Sequence, residues 1–528
     1  MTIRSLLYNG KILTQAEGVK ADSVAIYKNR IVAVGSNLQH DPDFSRFERI
    51  NLKGKTVVPG LVDAHTHFYY FALSLGRADL HDATSIGECL SILKKFSSKL
   101  GKHEWVLGEG YSPDRFRLRE EPDRFQLDRA TGSRPAFVFS KDEHTAWVNS
   151  RALELAGITL RTKDPAGGEI VRQPNGEPTG ILREIPGYGR VFELIPQPSK
   201  SKLDKLFRMA TQIAYENGVT GVHSVDGQSG FVYMSDLAQR NKLGLRVTYY
   251  FPAAMLPTLH KNRTYYGTGT DFFRVAGVKI FADGSLGSRT ALCFNKYVGS
   301  KGNCGIEVLS SKKMAQLVKS AAKLGFPCAI HAIGDRAISN VLDAFEQSPP
   351  LYFGARHRIE HVQLIRRKDL ARMKRMNVVA SMQPTHCTSD IEMVRNYWGA
   401  RGKNAYVFKS AIDKGIDVAF GSDCPIERLK PLDGIAAAVT RARKGSRDTF
   451  YPNERISAAE ALYCYTVGPA VAAGEAHYRG YLLPGYPADF VILSTDLTKI
   501  SSRNLYDVKV LATVLDGKLR FRRPGSPL

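Results

Sequence analysis

Seven cysteines in 528 residues are few, odd in number and scattered: Cys89, Cys293, Cys304, Cys328, Cys387, Cys424 and Cys464, with no C-x-x-C spacing. This argues against a disulfide framework and for a reduced, cytoplasmic protein. No apolar run approaches the length of a membrane span, which speaks against a membrane protein. The first ten residues, Met1-Thr-Ile-Arg-Ser-Leu-Leu-Tyr-Asn-Gly10, lack the apolar stretch of a secretory signal and read as a strand and turn. Internal repeats and low-complexity segments are absent, so the chain is not a solenoid or a tail. Acidic residues are in short supply, 51 against 74 Lys and Arg, giving a net charge of +23. The excess is spread out, densest at Arg366-Arg-Lys368 with Arg372 to Arg375 and at Arg441 to Arg447. No basic motif is interleaved with aromatics, which leaves no basis for specific nucleic-acid readout. A solvated basic surface is the plain reading, and attraction to acidic substrates or weak nucleic-acid contact the other.

What is present is length and pattern. A chain of this size with 43% hydrophobic residues can fill one barrel-sized domain and a smaller one. Both ends are β-rich. Ile3 to Tyr8, Ser23 to Tyr27 and Arg30 to Val34 are short strands broken by Asn9-Gly10 and Lys28-Asn29. Ala488 to Leu493 is another, and Val510 to Leu515, Asp516-Gly517 and Lys518 to Arg522 form a hairpin with a favoured two-residue turn. The middle alternates strands with amphipathic helices, such as those near 203–217 and 312–324, and Ser457-Ala-Ala-Glu460 is a capping box opening a late helix.

Counting a strand near 56–63 as the first, the others fall at 219–223, 245–251, 275–281, 327–331, 358–361, 378–383 and 417–423. Eight strands with helical crossovers are the count of a (β/α)8 TIM barrel. The expected fold is therefore α/β: a barrel over 56–475, a long insertion after strand 1 at about 69–200 with helices near 85–99 and 149–156, and a small β-sandwich built from 1–55 and 476–528.

Gly60-Leu-Val-Asp-Ala-His-Thr-His67 ends the first strand. In an extended chain residues i and i+2 share a face, so His65 and His67 can grip one ion. Two surface histidines beyond a strand are the alternative. The remaining strand ends bear on the choice: Lys279 lies at the end of strand 4, His331 of strand 5, His361 of strand 6 and Asp423 of strand 8. All six residues fall at C-terminal strand ends, where barrels of this kind carry their sites, and structural histidines have no reason to collect there. Imidazole and carboxylate suit Zn²⁺, whereas an unmodified ammonium has no lone pair to offer.

These stretches carry a resemblance. Pro59 to His67, Val278-Lys-Ile-Phe-Ala-Asp-Gly-Ser-Leu-Gly287, Ile330-His-Ala-Ile-Gly-Asp335, Arg358-Ile-Glu-His361 and Gly421-Ser-Asp423 resemble the amidohydrolase superfamily of metal-dependent hydrolases. Within it they resemble the amidohydrolase-3 group, with its YtcJ-like proteins and N-substituted formamide deformylases. His144-Thr-Ala-Trp-Val-Asn-Ser150, Gly176-Glu-Pro-Thr-Gly180 and Leu483-Pro-Gly-Tyr-Pro-Ala-Asp489 extend the likeness over nearly the whole chain.

The resemblance implies one or two zinc-type ions. His65 and His67 would hold the more buried metal, a carbamylated Lys279 would bridge, His331 and His361 would hold the second, and Asp423 would bind the first and act as acid/base. A Lys279 that remains a plain cation would leave a mononuclear site. Metal-activated hydroxide would then cleave a C–N amide-type bond of a small molecule, with Asp423 passing the proton to the leaving nitrogen. An ester, a lactone or a deaminase substrate is the runner-up, and a non-catalytic binding protein on the same scaffold the remaining alternative.

No G-x-S-x-G elbow surrounds Ser422 or Cys424, so no separate nucleophile is expected. Weaker candidates for substrate contact are His144 in the insertion, Arg289 beyond strand 4, and Gln383 and His386 after strand 7. Asp283 and Asp335 are further polar candidates near the site. Glu360 should point away from His361, buried against a helix. His223 fits barrel filling as well as function. His40, His81, His103, His260, His357 and His477 read as surface or structural. A homodimer is a possible assembly.

Overall fold

The computed structural model describes residues 4–528 apart from 102–103, 114–115, 117–121, 142, 166 and 353. His103 and the first residue of the expected Ile3–Tyr8 strand lie outside that set. The described residues fall into two compact units, one made of Met1–Tyr69 with Thr211–Leu528, the other of Tyr70–Ala210.

The first unit is built on eight parallel strands: β1 (Leu61–Thr66), β2 (Val219–Ser224), β3 (Arg246–Pro252), β4 (Phe273–Phe281), β5 (Cys328–Ala332), β6 (Arg358–His361), β7 (Val379–Met382) and β8 (Val418–Phe420), each paired with its sequence neighbour. Their residues are almost all buried, as expected for strands covered on both faces. Helices return the chain between strands. Ser311–Lys323 is capped by the Ser310 hydroxyl and buries Met314, Val318 and Ala321. Asp335–Glu346 buries Ile338, Val341, Leu342 and Phe345, an i, i+3, i+4, i+7 stripe.

Sheet pairing leaves β8 and β1 at the two ends of the order. The gap closes just beyond β8, where a parallel bridge joins Thr66 to Cys424. There the Asp423 amide donates to the His65 carbonyl and the His67 amide to the Cys424 carbonyl, both at 2.8 Å. The closing seam thus runs through the His-x-His segment.

Both termini contribute to two further sheets. One has the order Arg30–Gly35, Ser23–Tyr27, Arg4–Tyr8, Glu48–Asn51, and the other Lys11–Ile12, Thr56–Pro59, Phe490–Leu493, Val510–Leu515, Lys518–Arg522. They share one apolar core, with Leu7, Val24, Ile26, Leu52 and Val57 from one end and Phe490, Ile492, Ala512 and Val514 from the other. This is the expected β-sandwich. The bidentate ion pair of Arg246 with Asp489, at 2.5 and 3.0 Å, ties the sandwich to β3.

The expected strand at 56–63 is two strands. Thr56–Pro59 pairs with Phe490–Leu493 in the sandwich, and only from Leu61 does the chain join the barrel. The break lies at Gly60, where a Cβ would come within 2.2 Å of Thr220 Oγ1. A close approach between strands, rather than a turn signal, ends one strand and starts the next.

The second unit carries a six-stranded sheet in the order Glu169–Arg172, Pro178–Arg183, Thr145–Val148, Ala136–Ser140, Val106–Tyr111, Ala78–Asp79. Helices Ile86–Ser97 and Ser150–Leu155 match the two expected in the insertion. Two apolar clusters fill it, one around Leu93, Val138 and Trp147, the other around Phe137, Leu153 and Val191. Among the described residues, no helix is long and apolar enough to cross a membrane.

Candidate metal centre

His65 lies inside β1, fully buried, and His67 one residue past its end. Asp63, two residues earlier on the same strand, holds this segment in register. Its carboxylate accepts from the His65 amide at 3.2 Å and from the Ser422 amide at 3.0 Å. Burial pushes the Asp63 acid up to about 6, offset in part by these bonds.

Three residues from β1, the end of β6 and the turn after β8 converge. Ligand atoms of His65, His361 and Asp423 lie within 4.8 Å of one another, all buried. Asp423 Oδ1 is 3.3 Å from His65 Nε2 and 3.5 Å from His67 Nε2. The His361 ring lies 4.8 Å from that of His65 and 4.5 Å from that of His331, centroid to centroid. His361 and Asp423 adopt left-handed backbone, with φ of 75° and 61°. Such conformations are costly for residues with a Cβ and persist where surrounding structure enforces them.

Hydrogen bonds divide the ring nitrogens. His65 Nδ1 faces Glu360 Oε2 at 2.5 Å, His361 Nδ1 faces Gln383 Oε1 at 2.8 Å, and His331 Nε2 faces the Gly284 carbonyl at 3.1 Å. Each partner is an acceptor, so each of these nitrogens carries the hydrogen. The opposite nitrogen, Nε2 of His65 and His361 and Nδ1 of His331, is the one whose lone pair a cation could take. Burial pushes the imidazolium forms down, to about 4 for His67 and about 3 for His331, and well below the usual range for His361. For His65, burial and the Lys279 ammonium push down, and the Glu360 and Asp423 carboxylates more than restore the proton. A proton and a divalent cation compete for that same lone pair.

The group fits a metal ion. Neutral imidazoles and an ionised carboxylate are zinc-type donors. Among the described residues, the buried His65 Nε2 has no hydrogen-bond partner, nor has the buried Lys279 Nζ. Lys279, from β4, is 3% exposed, and burial lowers its ammonium to about 8.

The weaker candidates separate. Gln383 is buried and meets His361. His386 Nε2 lies 3.7 Å from Asp423 Oδ2, its ring stacked 6.2 Å from that of His361. Arg289 lies with its guanidinium 5.5 Å from the Tyr397 ring, and no described contact brings it to the histidines. His144 belongs to the second unit, where Nδ1 lies 2.9 Å from Glu184 Oε2. Asp283 accepts from the amides of Leu292, Ile333 and Gly334 and sits 3.6 Å from His331 Nε2. Asp335 instead accepts from the Phe294 amide at the start of its helix. His223 fills the barrel, accepting from Arg358 at 2.9 Å.

Glu360 overturns its expectation. It does not lie against a helix but inside the barrel, in contact with His65 and paired with Arg358. Strand alternation would separate Glu360 from His361, yet both meet His65. The positive φ of His361 breaks the period of two. Phe281 is a further neighbour of the centre, absent from the sequence-based candidates: 46% exposed, its ring lies 5.3 Å from that of His331. Its position two residues after Lys279 on the same strand was the available signal.

A parallel eight-stranded barrel with histidines and a carboxylate gathered at its C-terminal strand ends is the architecture of the amidohydrolases. The sequence profile described as the amidohydrolase family matches residues 48–521, and the chain belongs to that family. It is 31% identical to the putative amidohydrolase YtcJ of Bacillus subtilis (strain 168), over 99% of this chain and 100% of that one. It is 27% identical to the N-substituted formamide deformylase of Arthrobacter pascens, over 99% of each. Among solved structures, an uncharacterized metal-dependent hydrolase from Pyrococcus horikoshii OT3 superposes with a TM-score of 0.78 at 29% identity, covering 94% of this chain and 99% of that one.

Proposed function

We propose that the protein is a metal-dependent hydrolase that cleaves an amide-type C–N bond in a small molecule. The observation that carries this reading is the buried convergence of His65, His361 and Asp423 with an orphaned His65 Nε2. The full-length similarity to an N-substituted formamide deformylase supports the choice of bond. His65, His67 and Asp423 would hold a zinc-type ion, with His331 and His361 at a second position and Lys279 between, carbamylated. A lysine held near a pKa of about 8 offers free amine to CO₂ at neutral pH, which supports that modification.

When bound, the cation would acidify a water molecule and polarise the substrate carbonyl. The protein's own part lies with Asp423. Its Oδ1 faces the two histidines of β1, and its Oδ2 faces His386. Burial alone would raise this carboxyl, but the His65 contact and the surrounding histidines hold it well below the usual range, so it is ionised at neutral pH. Oδ2 takes the proton of the attacking water and delivers it to the leaving nitrogen. The half-exposed ring of Phe281 offers an apolar surface to the acyl or N-substituent.

Metal analysis of the purified protein beside His65→Ala, with a panel of N-formyl, N-acyl and lactone substrates, tests the reading. Stoichiometric metal in the wild type, its loss in the variant and turnover of the amides are expected. A wild-type protein without bound metal would overturn it. Turnover of lactones alone would shift the bond to the C–O class.

A further inference from the structure

Arg358 and Glu360 are wholly buried in the middle of the barrel. An ion pair there is costly: desolvation removes most of what attraction returns, and apolar side chains of similar volume would stabilise a core as well or better. Its geometry points to a use. Arg358 Nη2 donates to Glu360 Oε2 at 2.8 Å and Nε donates to Oε1, a two-pronged grip. The same guanidinium donates to the Ala64 carbonyl at 2.6 Å, to Ser381 Oγ at 3.1 Å and to His223 Nδ1 at 2.9 Å, with the Tyr250 ring 4.6 Å beneath it. The two-pronged grip of Arg358 fixes Glu360 from one side, and it does not pass through Ser381. Glu360 Oε2 then accepts from His65 Nδ1 at 2.5 Å. Since Arg only donates and an ionised carboxylate only accepts, the chain of bonds admits one direction: Arg358 to Glu360, and His65 Nδ1–H to Glu360.

We infer that Arg358 and Glu360 are positioning residues for the metal. They lock His65 in the tautomer with hydrogen on Nδ1, aim its Nε2 lone pair at the cation, and make that nitrogen a stronger donor. The Ala64 contact adds to this, because it fastens the guanidinium to the backbone of the residue just before His65. The ion pair is retained where apolar filling would serve stability because it sets the direction of one ligand. The inference rests on the metal-hydrolase reading above.

The test is Co²⁺ and Zn²⁺ affinity, measured by competition with a chelating chromophore on the full-length protein stripped of metal, together with the visible absorption of the Co²⁺ form. Glu360→Gln keeps the shape and removes the charge. Ser381→Ala is the control, since it touches Arg358 and not His65. Glu360→Gln is expected to raise the metal Kd by about 10- to 100-fold and to shift the Co²⁺ band. Ser381→Ala should leave both unchanged, whatever it does to Tm. Should Glu360→Gln fail to fold, the double variant Arg358→Gln/Glu360→Gln leaves no lone buried charge and is held to the same criterion. A wild-type Kd and Co²⁺ spectrum in the soluble variant overturn the inference. So does an equal loss of affinity in Ser381→Ala, which would mark a structural role. A wild type that binds neither metal removes the hydrolase reading itself, a result distinguishable from both.

Discussion

The Asp423 amide donates to the His65 carbonyl at 2.8 Å, while Asp423 Oδ1 faces His65 Nε2 at 3.3 Å. Backbone and side chain of one residue thus address backbone and side chain of the other. The bond that closes the barrel between its last strand and its first also sets the distance between two candidate ligands. Strand closure and the spacing of these two candidate ligands depend on the same pair of residues, so errors at the seam should appear at the metal.

Gly421 lies at that seam. A Cβ there would come within 2.4 Å of the His65 amide nitrogen and 2.8 Å of Asp63 Oδ1. Neither neighbour is the end of a long flexible chain, so the seam must open. Gly421→Ala is expected to destabilise the protein by about 1–3 kcal/mol, as overpacking does, and to lower bound metal. Denaturant titration and metal analysis on one preparation check it. A stable variant with full metal would show that the seam is loose.

Asp423→Asn keeps the size of the side chain and removes its capacity to take a proton. If Oδ2 carries the proton to the leaving nitrogen, kcat should fall about 100- to 10,000-fold. KM should move little in protein that still contains metal. Retained turnover in metal-replete Asp423→Asn would assign the proton to another group, with His386 the first to examine.

Much of this architecture was legible because periodicity and turn chemistry are local. The Asp516-Gly517 hairpin, the Ser457–Glu460 capping box and the run of buried strands all stand where the sequence puts them. The barrel count then located the candidate ligands at one end without any distance. What stayed hidden depends on contacts between distant segments. Residues 56–63 read as one β run, and only the approach of Thr220 to Gly60 divides it. Glu360 falls on the wrong side when extended backbone is assumed through His361, whose φ is 75°. Arg358 is hidden for a related reason: a buried charge looks like a surface residue until its partners are in place.

Lys279 Nζ is buried and, among the described residues, without a hydrogen-bond partner. A bare ammonium there is costly, and conversion to a carbamate would give it an anion's role among cations. Lys279→Ala should therefore lose metal, and bicarbonate with a short carboxylic acid should restore part of it by supplying the missing oxygens. Unchanged metal content, or no response to the added acid, would leave a site with a single ion.

His357 gives a pH prediction away from the centre. Its ring stacks on Phe345 at 4.2 Å and 13°, and its Nδ1 accepts from the Cys328 amide at 3.0 Å. Burial lowers its pKa from 6.5 to about 4. Between those values the unfolded chain binds a proton that the folded one refuses, so stability is full above 6.5 and falls as pH drops toward 4. The loss attributable to this residue approaches about 3 kcal/mol at the acid end, since each tenfold change in proton affinity is worth about 1.4 kcal/mol. His357→Gln keeps an acceptor for the Cys328 amide and removes the titration. Its stability relative to wild type should rise steadily as the pH is lowered from 6.5 to about 4, measured by denaturant unfolding of metal-free protein. Parallel pH profiles for the two proteins would show that the imidazole gains a proton without leaving its place on Phe345.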